Sequence, residues 1–458
     1  MPMSPLQEAW LSLPPGALES KIAALLMRKA VFPFLGFEDD EICGQYGTGK
    51  GADKVDLAVR KNTSSDDIFT YTEVNPFLIV ELKRREYDLA SKKKPYKDVV
   101  RQLKRYLSPA ATNCATVKWG IITNGYYIQL FRRHGKVVYP YTTLMELNIE
   151  TIDEKIGIIK SYIDNTEKAL CVSVYNNKGG VGKTTTTINL AGVLALPFPY
   201  GFGKKVLVVD FDPNQKDLTD LLGIKHDGLS FFDYLNDHRN QSITDVIHPY
   251  RVPVAGGKSV GFDVISASSS LDIESPDLPD ILRRGRFQKV LSGLRNTYDY
   301  ILIDSPPGNT LFTTESIAVS DVVLMPSKHN GIASLQNAAM AMTSIFPNLG
   351  EKRREHSPEL ASPTPLPIFF NGESITPAQK RQAQETITAI IEDAKADHKM
   401  DLVEFFFPKW TSATQNKEIF ELPSYSHIAG AAFSKKPSVF SSKTANGYYR
   451  SLVSEYFI

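Results

Sequence analysis

The chain has 458 residues, 42% hydrophobic and 10% aromatic, which is the composition of a folded protein of two or three domains rather than of a disordered one. The formal net charge is only +1, so any contact with nucleic acid must come from local basic faces. The cysteines Cys43, Cys114 and Cys171 are far apart, which excludes a closely spaced zinc or iron–sulfur motif and favours a reducing cytoplasm. The N-terminus lacks a basic stretch followed by an apolar core, and no run of about 18 apolar residues occurs, so we expect neither secretion nor a membrane span.

The N-terminal third of the sequence predicts a small α/β domain. Leu18 to Phe37 place Leu and Ile at helical intervals, and the Pro and Gly of FPFLGF end this helix. The stretches KVDLAVR (54–60) and FLIVELK (77–83) predict strands, and a basic helix follows. β-rich runs on both sides of Asn-Gly at 124–125 predict a hairpin. We assign residues 1–145 to this domain.

The remainder predicts a second and larger domain. LNIETIDEKIGIIKSYI (147–163) is amphipathic at helical spacing, so residues 146–167 are assigned to a linker helix. Five short apolar runs follow, separated by helical segments: ALCVSVY, KKVLVVDFD, YDYILIDS, DVVLMPS and PLPIFF. Apolar runs without polar alternation indicate a parallel sheet that is covered on both faces. Residues 168–458 are therefore predicted to form an α/β domain, in which VPVAGGKSVGF (252–262) is interpreted as a loop.

One glycine-rich loop carries a clear chemical signal. Tyr175 to Ala191 have the sequence YNNKGGVGKTTTTINLA, after an apolar strand and at the start of a helix. A phosphate-binding loop needs glycines whose backbone N–H groups approach phosphate, a lysine for the β- and γ-phosphate charge, and a hydroxyl for magnesium. Because all parts occur in order, a turn that merely caps a helix is disfavoured. The predicted nucleotide-binding residues are Gly179, Gly180, Val181, Gly182, Lys183, Thr184 and Thr185.

The loop departs from the general pattern in a way that points to one family. Asn177 stands where glycine is usual, and Lys178 is added at the start. KGGVGKTT closely resembles the deviant Walker A loop of the ParA/MinD family of P-loop ATPases. VLVVDFDP, with Asp210 and Asp212, resembles the second motif of that family, and YDYILIDSPPG, with Asp304, resembles its Walker B segment. The resemblance covers the whole second domain and implies a parallel-sheet P-loop NTPase fold.

The resemblance implies a role for each motif residue. Lys183 binds the β- and γ-phosphates of ATP, and Thr184 and Asp304 hold Mg²⁺ directly or through water. Asp212 orients the attacking water. Lys178 reaches the phosphates of a partner subunit, which implies an ATP-dependent homodimer.

Two positions leave alternatives open. Asn371 falls where the family often has a base-contacting asparagine, but a polar residue at a strand end explains it equally well. DPNQKD (212–217) is one residue longer than the usual Asp-Pro-Gln of the family, so the geometry of this loop is open.

The family also suggests partners. ParA-like proteins bind DNA non-specifically and are released when a ParB-like partner stimulates hydrolysis, whereas MinD-like proteins bind membrane through a C-terminal amphipathic helix. The C-terminal YYRSLVSEYFI has one basic residue, Arg450, so we expect a docked last helix and no membrane partner. ILRRGRFQKVLSGLR (281–295) is compatible equally with a DNA-binding face and with a solvated helix face. Its basic residues are Arg283, Arg284, Arg286, Lys289 and Arg295.

A second constellation lies in the N-terminal domain. Asp56, Glu81 and Lys83 have the types and strand positions of the Asp…Glu-x-Lys nuclease core, in which carboxylates bind metal and a lysine assists the attacking hydroxide. Charged residues on an exposed hairpin face would also produce this pattern. With Glu19 in the first helix, and Gln102 and Tyr106 four residues apart, the set resembles the nuclease domain of type I restriction enzyme R subunits over residues 15–140.

That resemblance implies metal binding by Asp56, Glu81 and Glu19, assistance from Lys83, and DNA close to Gln102 and Tyr106. The surroundings are basic, which suits phosphates. Between residues 81 and 106, ten Lys and Arg (83, 84, 85, 92, 93, 94, 97, 101, 104 and 105) stand against four acids (81, 86, 88 and 98).

Two functions from different classes follow. The principal hypothesis is a cytoplasmic, nucleoid- or plasmid-associated ParA-like ATPase that dimerises with ATP and Mg²⁺. It would bind DNA non-specifically, with site-specific binding as an additional option, and act in partition or cargo positioning. The restriction-endonuclease-like domain would then contribute DNA contact. The alternative is a magnesium-dependent DNA endonuclease, in defence or DNA processing, whose cutting is gated by ATP-driven dimerisation. A structural adaptor that binds ATP without turnover is a third possibility.

Overall fold

The computed structural model forms two compact units. It describes residues 2–91, 93–213, 215–225, 229–237, 239–253, 259–267, 278–329, 331–372, 375–411, 413–423 and 435–458. Residues 1–166, 357–361 and 457 form the first unit, and residues 167–356, 362–456 and 458 form the second. Lys92 of the predicted basic face and Asn214 of the predicted longer loop lie outside the described residues.

The first unit is built on one mixed sheet. Its strands, within the described residues, are β1 (Ile42–Gly47), β2 (Lys54–Val59), β3 (Leu78–Leu82), β4 (Trp119–Thr123), β5 (Tyr127–His134), β6 (Val137–Pro140) and β7 (Met145–Glu146). The spatial order is β1-β2-β3-β4-β5-β6, and β7 pairs with β5. Only β3 and β4 among these neighbours run parallel, and this requires a crossover connection. The predicted strands and the hairpin at Asn124-Gly125 are confirmed.

Helices cover this sheet. They are α1 (Pro5–Leu11), α2 (19–35), α3 (Phe69–Thr72), α4 (Lys94–Tyr106) and α5 (Ile152–Asp164), with 3₁₀ turns at Asp39–Glu41 and Thr112–Cys114. The basic helix α4 is the crossover between β3 and β4, and it buries Val99 and Leu103 in the core.

Three of these helices were predicted: the basic helix α4 is confirmed, and α2 and α5 differ in outcome. Helix α2 ends at Gly36, whose φ of 92° is readily adopted only by glycine, as predicted. Its central turns, Ile22–Val31, have π-helical hydrogen bonding. Helix α5 was predicted to be a linker, but it belongs to the first unit, because Ile152, Ile156 and Ile159 are fully buried there.

The second unit contains the predicted parallel sheet and a smaller one. Its strands are β8 (Leu170–Val174), β9 (Val206–Asp210), β10 (Ile247–Pro253), β11 (Ser259–Ile265), β12 (Tyr300–Asp304), β13 (Val322–Leu324), β14 (Pro326–Ser327), β15 (Thr364–Pro365), β16 (Phe369–Asn371) and β17 (Phe420–Leu422). The large sheet has the order β10-β11-β9-β12-β8-β13-β15, antiparallel only at the β10 edge, and the small parallel sheet has the order β14-β16-β17.

Three apolar or loop-like stretches were interpreted wrongly in detail. DVVLMPS and PLPIFF each predict one strand, but each supplies a short strand to the large sheet and then another to the small sheet. The stretch 252–262 was interpreted as a loop, but Val252 and Pro253 end β10, and residues 259–262 begin β11. Periodicity over two or three residues is too short to distinguish these cases.

The helices of the second unit surround both sheets. They are α6 (Lys183–Ala195), α7 (Asp217–Leu221), α8 (Phe231–Asn236), α9 (Leu278–Arg283), α10 (Arg286–Leu294), α11 (Leu311–Ala318), α12 (332–354), α13 (Pro377–His398), α14 (Val403–Phe406) and α15 (Lys443–Tyr456), with 3₁₀ turns at Ile243–Val246 and Ser438–Phe440. The predicted last helix is α15, and its Tyr449, Leu452 and Val453 are fully buried. In the part of the chain that the structure describes, no helix is long and apolar enough to cross a bilayer.

Candidate nucleotide site and N-terminal carboxylate cluster

Three central strands of the second unit end at one edge of the sheet. Strand β12 pairs in parallel with β8 on one side and β9 on the other, and Asp304 lies in register with both Val174 and Asp210. In open parallel sheets, ligands bind beyond the carboxyl ends of the strands. The phosphate loop, the Asp-x-Asp segment and the Walker B carboxylate therefore emerge together, although about 130 residues of sequence separate the first from the last.

The phosphate loop is anchored at its start and opens into helix α6. Asn176 Nδ2 donates to the carbonyl oxygens of Pro326 (3.0 Å) and Ser334 (3.2 Å), and its Oδ1 accepts from the Lys178 N–H at 3.0 Å. Gly180 and Gly182 have φ of 71° and 86°, and α6 begins immediately after them. Unpaired backbone N–H groups at a helix N-terminus attract anions, so the loop suits phosphate.

A cavity of about 530 Å³ lies at this edge of the sheet. Its lining includes all seven predicted loop residues together with Asp212 and Asn371. Lining residues that the sequence analysis did not identify are Gln215, Asp217, Leu221, Ser305, Pro307, Lys328 and Gly372. Gln215 and Asp217 belong to the lengthened DPNQKD loop, which could have identified them, whereas nothing local marks Lys328.

The cavity carries several buried charges. Lys183 is 8% exposed; its Nζ donates to the Lys178 carbonyl oxygen at 3.3 Å, and burial lowers its pKa, against the attraction of Asp304 and Asp212. Burial raises the pKa of Asp304 to about 8, and the charge of Asp210 adds to this, while a hydrogen bond from Thr184 opposes it. Buried carboxylates ionise readily only beside a cation. The arrangement therefore fits a cation as well as polyphosphate.

The residues present fit magnesium bound together with a nucleotide. Mg²⁺ commonly takes one or two protein oxygens and completes its shell with water and substrate phosphates. Thr184 and Asp304 would supply those protein oxygens, and Lys183 would neutralise phosphate. Among the described residues, no group of three or more His, Cys, Asp or Glu is disposed to hold a metal ion by itself. This is expected of a site in which the nucleotide supplies the other ligands.

The two aspartates of the Asp-x-Asp segment have different surroundings. Asp210 Oδ2 accepts from the Thr219 N–H at 2.9 Å and from its hydroxyl at 2.6 Å, so Asp210 holds the following loop in place. Asp212 lines the cavity, and its Oδ1 accepts from the Gln215 N–H at 3.2 Å. Lys178 is exposed at the loop. Asn371 contacts the phosphate loop itself: its Nδ2 donates to the Val181 carbonyl oxygen at 2.9 Å.

In the first unit, the predicted carboxylates and lysine lie close enough to influence one another. Burial raises the pKa of Glu81 to about 7; Asp56 and Glu19 raise it further, and Lys83 opposes them. Lys83 Nζ donates to Glu81 Oε1 at 2.5 Å. Asp56 Oδ2 accepts from the Leu82 N–H at 2.7 Å, while Glu19 is exposed at the start of α2. Lys83 occupies one carboxylate oxygen of Glu81, so a metal at this cluster would bind the other oxygen or displace the lysine.

Several basic or polar residues of the predicted DNA surfaces are buried. Arg85 is 3% exposed, with its guanidinium 4.1 Å from the ring centroid of Tyr126 and bonded to a backbone carbonyl. Tyr106 is buried in the core, and its hydroxyl accepts from Gln102 at 2.7 Å. Packing covers both side chains, so Arg85 is not part of the predicted basic surface, while the position of Gln102 and Tyr106 close to DNA stays a prediction.

The basic side chains of the stretch 281–295 are also partly buried and partly exposed. Arg295 is 7% exposed and binds Asp321 at 2.8 Å. Arg286 donates to backbone carbonyls at the end of α8. Of the five basic residues in this stretch, Arg283, Arg284 and Lys289 are exposed, so these three are the ones most accessible to a phosphate backbone.

Residues 169–346 match the family model described as an AAA domain. The sporulation initiation inhibitor protein Soj of Bacillus subtilis is 37% identical over 158 residues, which are 34% of this chain and 56% of that protein. The chromosome-partitioning ATPase Soj of Treponema pallidum is 37% identical over 155 residues, 33% of this chain and 54% of that protein. The chain is therefore similar, over about a third of its length, to these two Soj proteins.

The chain spans about half the length of the curated relatives it matches. The crystal structure of the cell division ATPase MinD from Pyrococcus furiosus aligns with 62% of this chain and 96% of its own, with 18% identity and a TM-score of 0.41.

Proposed function

We propose that the chain is a ParA-like ATPase that forms an ATP-dependent homodimer, binds DNA and acts in plasmid or chromosome partition or in the positioning of another cargo. The observation that carries the proposal is the meeting of Lys183, Asp212 and the phosphate loop in one cavity, with Lys178 exposed beside them. The names of the Soj relatives, which include a chromosome-partitioning ATPase, support the biological role.

Each residue has a defined task in this proposal. When bound, ATP would supply the phosphoanhydride bond that is hydrolysed, and Mg²⁺ would supply positive charge beside its phosphates. The backbone N–H groups of the loop and Lys183 bind the β- and γ-phosphates, while Thr184 and Asp304 hold Mg²⁺. Asp212 faces the cavity and orients the attacking water. Lys178 points to solvent, where it can neutralise the phosphates in a partner subunit.

DNA contact comes from local basic faces, since the whole chain is nearly neutral. Exposed cations occur in both units: Arg283, Arg284 and Lys289 in the second, and Lys93, Lys94 and Arg101 in the first. A nuclease-like first unit would then serve as a DNA-binding module, and a ParB-like partner would stimulate hydrolysis. The protein would act in the cytoplasm, on the nucleoid or a plasmid.

The test combines ATP hydrolysis, dimerisation and DNA binding. The wild type should hydrolyse ATP faster with DNA or a partner, should dimerise with ATP, and should shift duplex DNA only when ATP is present. Lys183→Ala should lose all three activities, whereas Lys178→Ala should bind ATP but lose hydrolysis and dimerisation. Lys289→Ala, a control on an exposed helix face, should keep the basal ATP hydrolysis that is measured without DNA. ATP turnover by Lys178→Ala at the wild-type rate would contradict the assignment.

A second candidate function is an ATP-gated magnesium-dependent DNA endonuclease. The observation that favours it is the buried Glu81 beside Lys83, with Asp56 on the adjacent strand and Glu19 near enough to raise the pKa of Glu81. Two-metal phosphodiester cleavage uses such carboxylates to bind metal and such a lysine to stabilise the attacking hydroxide. Dimerisation by ATP would bring two such sites together.

Supercoiled plasmid separates the two functions. The protein is incubated with Mg²⁺ or Mn²⁺, with and without ATP, beside Asp56→Ala and the control Asp53→Ala, whose carboxylate pairs instead with Arg105 at 3.0 Å. Nicking that disappears with Asp56→Ala and persists with Asp53→Ala establishes the endonuclease. An intact plasmid that is shifted only with ATP supports the partition ATPase. In cells, partition requires plasmid retention to depend on Lys183 and not on Lys83.

A further inference from the structure

Asn371 makes an unusual pair of contacts with the phosphate loop. It is the last residue of β16 and is 5% exposed. Its Nδ2 donates to the Val181 carbonyl oxygen at 2.9 Å and lies 3.4 Å from the Thr186 hydroxyl oxygen, 190 and 185 residues away in sequence. The amide therefore ties the loop and the first turn of α6 to the end of a strand in the small sheet.

This contact determines the direction of one anion-binding group. In a trans peptide, the C=O of one residue and the N–H of the next point in opposite directions. Because Asn371 holds the Val181 carbonyl on its own side, the Gly182 N–H is directed away from Asn371. Val181 and Gly182 both line the cavity that receives phosphate. The peptide group between them is therefore oriented before a nucleotide binds.

The glycine and the asparagine depend on each other. Gly182 has a φ of 86°, a left-handed conformation that side chains rarely adopt. A Cβ at this position would also overlap the Nδ2 of Asn371. The loop can therefore accept this hydrogen bond only because residue 182 is glycine.

The support for Asn371 is rigid. In β16, Phe370 pairs with Ser327 on one side, and Asn371 pairs with Leu422 on the other, so Asn371 is fixed within a parallel sheet. Lys328, which follows Ser327, also lines the cavity. Asn371 Oδ1 is buried without a hydrogen-bond partner among the described residues. The donor of the amide is thus engaged by the protein, and only its acceptor is available to a ligand.

We propose that Asn371 is a positioning residue for the triphosphate: through the Val181 carbonyl it orients the Gly182 N–H, and its contribution to affinity is independent of the nucleotide base. The inference rests on the nucleotide-binding function proposed above. It predicts that removing the amide weakens every ligand with a polyphosphate chain by the same factor. A residue that reads the base would instead weaken ATP alone.

The experiment compares the affinity of the full chain for magnesium tripolyphosphate, MgATP and MgGTP by calorimetry. Asn371→Ala should bind tripolyphosphate and ATP about tenfold more weakly than the wild type, the effect of one lost hydrogen bond, with an unchanged ATP-to-GTP ratio. The matched control is Asn446→Ala. Asn446 Nδ2 donates to the Tyr200 carbonyl oxygen at 3.0 Å, a bond of the same kind outside the cavity, so this variant should bind like the wild type.

The outcomes are distinct. Loss of ATP affinity with unchanged tripolyphosphate affinity would overturn the inference and make Asn371 a base-reading residue. A wild type that binds neither ATP nor tripolyphosphate would overturn the proposed function, and the inference with it. Asn371→Leu keeps a similar shape and adds no charge but removes the donor, so it should also lose tripolyphosphate affinity. If both Asn371 variants fail to fold while Asn446→Ala folds, the residue is structural and the inference is wrong.

Discussion

Replacing Arg295 with alanine should destabilise the second unit strongly and leave DNA affinity unchanged. The guanidinium is almost fully enclosed; its Nη1 lies 3.0 and 2.8 Å from the two carboxylate oxygens of Asp321. Nη1 also lies 3.0 Å from Glu167, and Nη2 donates to the Val319 carbonyl oxygen at 2.8 Å. Asp321 in turn accepts from the Cys171 N–H at 2.9 Å, which fixes the start of the central strand β8.

The magnitude follows from what remains after the substitution. Asp321 is 2% exposed, so Arg295→Ala leaves a buried carboxylate without its cation. Removing one partner of a buried pair costs about 3–5 kcal/mol, whereas replacing both partners with neutral residues is often tolerated. The double variant Arg295→Met with Asp321→Asn, which keeps an acceptor for the Cys171 N–H, should therefore recover much of the free energy of unfolding.

Urea unfolding followed by circular dichroism measures the free energy, and salt titration of duplex DNA binding measures the phosphate contact. Arg284→Ala is the control, because Arg284 is exposed in the same basic stretch. It should change the free energy of unfolding by less than about 0.5 kcal/mol, and if it contacts phosphate it should lower the salt slope by about one. An Arg295→Ala variant with wild-type stability and a reduced salt slope would refute the burial argument.

Three further predictions concern groups whose surroundings the fold determines. Burial raises the pKa of Glu81 from 4.5 to about 7. The protonated side chain therefore adds to the stability of the first unit below pH 4.5, and this stabilisation is lost as the pH rises to about 7. Glu81→Gln should flatten that part of a Tm–pH curve, and an unchanged curve would contradict the prediction. Arg85→Ala should lower the thermal midpoint of the first unit by several degrees, through loss of its aromatic and carbonyl contacts, whereas exposed Arg84→Ala should not. Gly182→Ala should abolish ATP binding in an equilibrium assay, because its Cβ would overlap the Asn371 side chain. At Gly179 a Cβ meets no atom within 4 Å, so Gly179→Ala should leave the fold stable.

Local motifs explain why much of the nucleotide site could be predicted. The phosphate loop is formed by consecutive residues, from Gly179 to Thr185. The chemistry of glycine, lysine and threonine determines what such a loop can bind. The three parallel strands were visible because a buried strand needs apolar residues on both faces. Asp212 and Asp304 were predicted because VLVVDFDP and YDYILIDSPPG resemble motifs of a known family.

Contacts between distant residues could not be predicted in this way. Arg85 was placed on a basic surface fit for phosphates, and Arg295 in a stretch that fits a DNA-binding face or a solvated helix face equally. Each is instead buried by aromatic or carboxylate partners elsewhere in the chain. The strands β13, β14, β15 and β16 are two or three residues long, and only pairing with other strands assigns them to two different sheets. The periodicity of apolar residues identifies a strand only in longer segments.

The sequence by itself determined the chemistry that this protein can offer: a phosphate loop with an additional lysine, carboxylates at strand ends, and an Asp…Glu-x-Lys set in the N-terminal domain. The tertiary structure alone decided which charges are available. It paired Lys83 with Glu81, placed Asn371 against the Val181 carbonyl, and enclosed Arg295. The physical reason is that burial and hydrogen bonding depend on groups brought together by folding, and these determine whether a polar side chain binds a ligand or supports the fold.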